Sequence, residues 1–203
     1  MTTRVLLASG NAKKLAELRR MVDGAAISGI DVLGLGDVDA YPEPVEDGAS
    51  FEENALIKAR EAVARTGLPS LADDSGIAVD ALNGMPGILS ARWSGGKGDA
   101  ANNELLLAQI ADIPEHRRGA AFVSVCALVL PDGSETVVRG EWRGAIVRES
   151  RGTGGFGYDP LFLPHDVTDG RTAGELSPAE KDARSHRHRA LVQLLPALAA
   201  LAS

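Results

Sequence analysis

Two adjacent carboxylates inside an apolar run are where the chemistry of this chain concentrates. In Leu71-Ala72-Asp73-Asp74-Ser75-Gly76 the acids close a segment that reads as a buried strand, and burying them is expensive unless something positive meets them. A strand alternates its faces, so Asp73 and Asp74 cannot point the same way while the extended geometry lasts; one can serve a site while the other braces the turn. The same residues also suit an acidic turn that simply ends a strand. Upstream, Glu46 and Glu53 add carboxylates and Lys58 adds a cation. Magnesium asks for little more than a few carboxylates, waters and phosphate oxygens. Four scattered histidines and one cysteine give no H-E-x-x-H or C-x-x-C spacing, so no transition-metal site is expected.

Three other clusters could bind what the carboxylates act on. Ser9-Gly10-Asn11-Ala12-Lys13-Lys14 joins an apolar run to a helical pattern. A small polar turn there exposes backbone amides at the positive end of a helix, and two lysines add charge, which suits a polyphosphate. It is neither a Walker loop nor a G-x-G-x-x-G fingerprint, and Asn11 equally serves an ordinary strand-to-helix turn as N-cap. In Gly152-Thr153-Gly154-Gly155-Phe156-Gly157-Tyr158-Asp159-Pro160 the glycines permit close backbone approach, and Phe156 and Tyr158 offer flat faces to a base. One of these two rings is expected to belong to the core. Ser177-Pro178-Ala179-Glu180 is a capping box, which leaves Lys181, His186 and Arg187 spare for binding.

Composition narrows the class. The 203 residues carry a formal charge of -7 with 44% apolar and 24% charged residues, ordinary for a globular protein with a sizeable core. The acidic balance argues against general nucleic-acid binding. Asp31 to Glu53 holds eight acidic residues and no lysine or arginine, while Lys181 to Arg189 holds four cations against Asp182 alone. An enzyme acting on a metal-bound polyphosphate needs both signs. Cys126 sits in a strand-like run and reads as a buried, inert thiol. With no apolar stretch long enough for a bilayer and no signal-peptide core, a soluble, cytoplasmic protein without a membrane partner is expected.

The elements that must position these clusters read as α/β. A strand at 4–8 leads to a helix near 11–23, then a strand at Ile30–Leu35. After the extended Tyr41-Pro42-Glu43-Pro44, Ser50-Phe51-Glu52-Glu53 caps a long helix with Ala55, Leu56, Ala59, Ala62 and Val63 on one face, stopped by Gly67 and Pro69. Ser70–Ala72 and Ile77–Val79 read as two strands around the acidic turn, and Ala101–Ile110 as a helix. Ala120–Leu130 and Glu135–Val147 flank the hairpin signal Pro131-Asp132-Gly133-Ser134. An alanine- and leucine-rich helix closes the chain.

Taken in order, these motifs resemble the Ham1-like family of inosine/xanthosine triphosphate pyrophosphatases. The resemblance spans nearly the whole chain: Ser9-Gly10-Asn11 with Lys14, Glu46-Asp47-Gly48, Phe51-Glu52-Glu53-Asn54-Ala55 with Lys58-Ala59, Ala72-Asp73-Asp74-Ser75-Gly76, Pro86-Gly87 with Ser90-Ala91-Arg92, Gly154 to Pro160, and Lys181 with Ser185-His186-Arg187. Ser9 stands where many members have threonine, and Lys13 occupies a variable position. The resemblance implies an α/β fold with a long twisted mixed sheet, residues 1–203 as one ITPase-like domain of two lobes around a cleft, and a homodimer. It also implies magnesium-dependent cleavage of non-standard purine nucleoside triphosphates to monophosphate and pyrophosphate.

Roles follow from that resemblance. Asp74 is the expected proton acceptor and, with Glu46, the Mg2+ anchor. Ser9, Gly10, Asn11, Ala12, Lys13, Lys14 and the catalytic Lys58 hold phosphates. Ser75, Phe156, Gly157, Tyr158, Asp159, Lys181, His186 and Arg187 complete the substrate site on the base side. A 6-oxo purine offers an acceptor where adenine offers an amino donor, so Arg187 is expected to favour the former. Guanine is expected to fail for want of an acceptor for its 2-amino group. Two rivals share part of the pattern: a nucleotide- or phosphosugar-binding module, which has no use for Asp74 with Glu46, and a broader Maf-like pyrophosphatase, which would lack the base-side set.

Overall fold

In the computed structural model, which describes residues 2–202, the first strand, β1 (Thr3–Leu7), ends in three buried residues. Asn11 then caps α1 (Ala12–Gly24) by accepting from the amides of Lys13 and Lys14. The next strand, β2, is Ile30–Leu33, two residues shorter than its apolar run, because the Asp37 carboxylate accepts from the Gly34 amide and turns Leu35–Asp37 into 3-10 helix. After an irregular stretch, α2 (Phe51–Thr66) starts at Ser50 and stops at Gly67, whose left-handed φ of 68° closes the last turn. The helix buries Phe51, Asn54, Ala55, Ala59 and Ala62; Leu56 and Val63, expected on that face, are only half-buried.

The next strand, β3, departs from the sequence expectation. Ser70–Val79 is one continuous strand, not two strands about an acidic turn. Asp and Gly are poor strand formers, but their partners, described below, offset the cost. After β3 come a 3-10 segment at Gly87–Arg92, α3 (Asp99–Gln109), β4 (Gly119–Val129) and β5 (Glu135–Ile146). A short β6 (Phe162–Pro164), α4 (Pro178–Asp182) and α5 (His186–Leu201) complete the chain. The six strands form one mixed sheet in the order β2-β1-β3-β4-β5-β6. Both β2 and β3 run parallel to β1, with Val5 opposite Val32 and Leu7 opposite Leu71, while β6 is antiparallel to β5.

Contacts divide the chain into two compact units. The first comprises Met1–Asp74, Ser124–Gly140 and Arg189–Ser203. Its core joins Val5, Leu18, Leu71 and the fully buried Cys126 to Leu191, Leu194 and Leu198 of α5. The second comprises Ser75–Val123 and Glu141–His188, with Ile77, Leu106, Phe122, Trp142, Tyr158 and Phe162 in its core. Among the described residues no helix is long and apolar enough to cross a membrane.

Candidate active site

The first unit holds the carboxylates and the amino-terminal turn. Side-chain alternation along β3 gives the two acids different partners. Asp73 is 4% exposed and takes the Lys14 ammonium at 2.8 Å. Asp74 meets α2 instead: Asn54 Nδ2 donates to Oδ2 at 3.2 Å, and Lys58 Nζ lies 3.7 Å from Oδ1. The same Lys58 ammonium donates to the Asp73 carbonyl at 2.8 Å and sits 3.3 Å from Glu46 Oε1. Burial pushes the Asp74 carboxyl above the ordinary carboxylate range, the Glu46 and Asp73 charges push it further, and Lys58 and Asn54 oppose them. Glu53 is used otherwise: its Oε2 accepts from the Ala49 amide at 2.7 Å, while Ser50 Oγ takes the Glu53 amide. The capping box therefore closes one residue early, and Glu46 is the acid left beside Asp74.

In the turn itself, Ser9 Oγ accepts from the Asn11 amide, and Asn11 Oδ1 accepts from Lys13 and Lys14. The ordinary capping role of Asn11 is thus present; Gly10 and Ala12 take no part in those bonds. Lys14 lies against Asp73, and Lys13 is exposed at the surface.

The second unit holds a cavity of about 140 Å³. Ser75 and Gly76 of β3, Phe156 to Asp159, Lys181 and His186 all line it. Phe156 is 44% exposed, whereas Tyr158 is buried with its hydroxyl donating to the Ser90 carbonyl at 2.9 Å. Tyr158 is therefore the ring that belongs to the core. Burial, helped by the Asp99 charge, raises its phenol and keeps it a donor. Asp159, 1% exposed, accepts from the Phe156 amide at 2.8 Å and pairs with Lys181, whose ammonium stands 4.4 Å from the Phe156 ring centre. His186 stacks on Phe122 at 4.9 Å.

Lys181, His186 and Arg187 are not spare, as the sequence had implied, but packed and bonded. Arg187 is 7% exposed, donates to Ser75 Oγ at 3.3 Å, and is not among the residues lining the cavity. Ser75, which does line it, is the residue that links Arg187 to the cavity wall. The cavity is also not free of acceptors: Asp99 lines it, with Oδ2 accepting from the Gly157 amide at 2.7 Å.

Sequence reasoning gave no role to Asn54 and Ser90, although both stand in its motifs, and did not single out Asp99 or Phe122. Asn54 had a further signal, a polar residue among the buried positions of a helix; Asp99, at the start of α3, and Phe122, in β4, had none. Among the described residues, no three or more His, Cys, Asp or Glu side chains cluster to hold a metal. Glu46 and Asp74, both hard oxygen donors already sharing the Lys58 cation, fit a magnesium ion that completes its shell with water and phosphate.

The Ham1 family model matches residues 5–197. A Nocardia farcinica protein named dITP/XTP pyrophosphatase is 67% identical over 202 residues, covering 98% of this chain and 96% of that protein. A crystal structure of a nucleoside-triphosphatase / dITP/XTP pyrophosphatase from Mycobacterium abscessus is 61% identical, with a TM-score of 0.81 over 97% of this chain and 100% of that one. A HAM1 protein from Coxiella burnetii is 40% identical, with a TM-score of 0.88 over 97% and 98%. Matched along almost its whole length in sequence and in fold, the chain belongs to the Ham1 family.

Proposed function

We propose that this chain is a dITP/XTP pyrophosphatase, hydrolysing non-standard purine nucleoside triphosphates to monophosphate and pyrophosphate in the cell's nucleotide pool. The observation that carries the reading is the setting of Asp74: a half-buried carboxylate whose hold on a proton is strengthened by burial, with Glu46, Lys58 and Asn54 around it. A module that only bound nucleotides would gain nothing from that arrangement.

In this reading the Ser9–Lys14 turn and Lys58 hold the triphosphate. Asp74 orients a water and accepts its proton as the oxygen attacks the α-phosphorus; the α–β anhydride bond breaks and pyrophosphate leaves. Glu46 and Asp74 would hold Mg2+, which when bound neutralises charge building on the phosphate oxygens. Lys181 and Ser75 supply donors on the base side, fitting the oxo groups of hypoxanthine and xanthine and opposing the adenine amino group. One nucleotide is proposed to use both residue groups, in a two-lobed domain that works as a homodimer; light scattering reads the mass of that assembly.

A panel of kcat/KM values for dITP, XTP, dATP, dGTP and dTTP tests the reading. High values for dITP and XTP alone support it. Comparable turnover of dTTP would favour the broader Maf-like activity, and no turnover of any would leave a binding protein.

A further inference from the structure

Asn54 has no side-chain surface exposed, yet it lies on the apolar face of α2 among Phe51, Ala55 and Ala59. A buried amide is tolerated only when its polar atoms are bonded. Both ends of this one are: Oδ1 accepts from the Gly48 amide at 2.9 Å, and Nδ2 donates to Asp74 Oδ2 at 3.2 Å. The partners fix its orientation, because the Gly48 amide can only donate and an ionised Asp74 can only accept. The Gly48 side is equally constrained. A Cβ at Gly48 would lie 2.7 Å from Asn54 Oδ1 and from Glu53 Cβ, so the loop reaches the amide only because it lacks a side chain there. Glu46 stands two residues before Gly48.

We infer that Asn54 is a positioning residue that brackets the Glu46 loop to Asp74 and so sets the spacing of the two carboxylates for a shared divalent cation. The inference rests on the proposed function for its reaction, but its content is the cation. With Nδ2 holding Oδ2, Asp74 Oδ1 stays turned toward the Lys58 ammonium that Glu46 also faces. Leucine at position 54 would keep the volume and the burial while removing both bonds. Alanine at position 48 would push the loop off the amide without touching Asp74.

Residues that orient metal ligands typically cost about 10–100-fold in metal affinity when replaced. Asn54→Leu and Gly48→Ala should therefore each weaken Mn2+ binding, followed by electron paramagnetic resonance on the nucleotide-free protein, by about tenfold or more. Both should raise the Mg2+ concentration for half-maximal dITP turnover by a similar factor, while KM for dITP at saturating Mg2+ stays close to wild type. A cooperative melt establishes that each variant is folded, and should Asn54→Leu fail to fold, Gly48→Ala decides alone. Folded variants with wild-type cation dependence, or a rise confined to KM, would overturn the inference and leave the proposed function standing. A wild type that binds no Mn2+ and turns over nothing would overturn both.

Discussion

At the scale of single residues, the neighbours of Asp73 and Asp74 separate their tasks. Asp73 is spoken for by Lys14, whereas Asp74 faces a lysine, an amide and a second carboxylate. Asp74→Asn keeps the shape and removes the base, so turnover should fall by roughly 10²–10⁴-fold with a smaller change in nucleotide affinity. Because burial raises this carboxyl, the folded protein holds its proton more tightly than the unfolded chain does. Its charge then destabilises the fold increasingly as pH rises through the folded-state value. The metal-free Asn variant should accordingly melt higher than wild type at neutral pH, and the gain should vanish at low pH; a lower melting temperature would count against that placement. Lys181→Met tests the base side. It keeps the stem over Phe156 but removes a donor, costing ITP roughly 1–3 kcal/mol in kcat/KM while ATP changes little, so the ITP:ATP ratio narrows. It also strands Asp159, which is 1% exposed. Adding Asp159→Asn should restore stability without restoring the ratio. A fall shared equally by ITP and ATP would assign Lys181 to phosphate.

Secondary-structure elements were legible where local chemistry decides them and illegible where distant partners do. The apolar runs of β1 and β4, the Ser50 and Ser177 caps and the Pro131–Ser134 hairpin all lie close to their sequence positions. The acidic segment of β3 read as a turn because Asp and Gly favour turns in isolation; what keeps it extended is Lys14, Lys58 and Asn54 on its acids. Gly76 is in the strand for a related reason: a Cβ there would run into Ser90 Oγ and the Gly87 carbonyl. Gly76→Ala should therefore destabilise the protein by about 1–3 kcal/mol in chemical denaturation. Since Gly76 and Ser90 both line the cavity and Ser90 holds the Tyr158 hydroxyl, KM for dITP should rise more than kcat falls. An alanine variant of unchanged stability would mean that the 87–90 segment moves aside freely. The candidate site followed the same division. Carboxylates, lysines and glycines were visible as types, but that His186 and Arg187 are packed against Phe122 and Ser75 could not be read from spacing.

At the scale of the whole molecule, β3 carries Asp74 and Ser75 in succession, the first beside Lys58 and Asn54 and the second in the cavity wall. Turnover should require Mg2+ and be lost in excess chelator. It should also rise into the alkaline range, where water is more easily deprotonated and the triphosphate is fully ionised. A bell centred on neutral pH would instead point to a histidine base. The claim on which everything else depends is attack at the α-phosphorus. Hydrolysis of dITP in oxygen-labelled water, with products separated and weighed by mass spectrometry, tests it directly. One labelled oxygen in the monophosphate and unlabelled pyrophosphate are expected. Label in pyrophosphate, or release of orthophosphate and a nucleoside diphosphate, would contradict it.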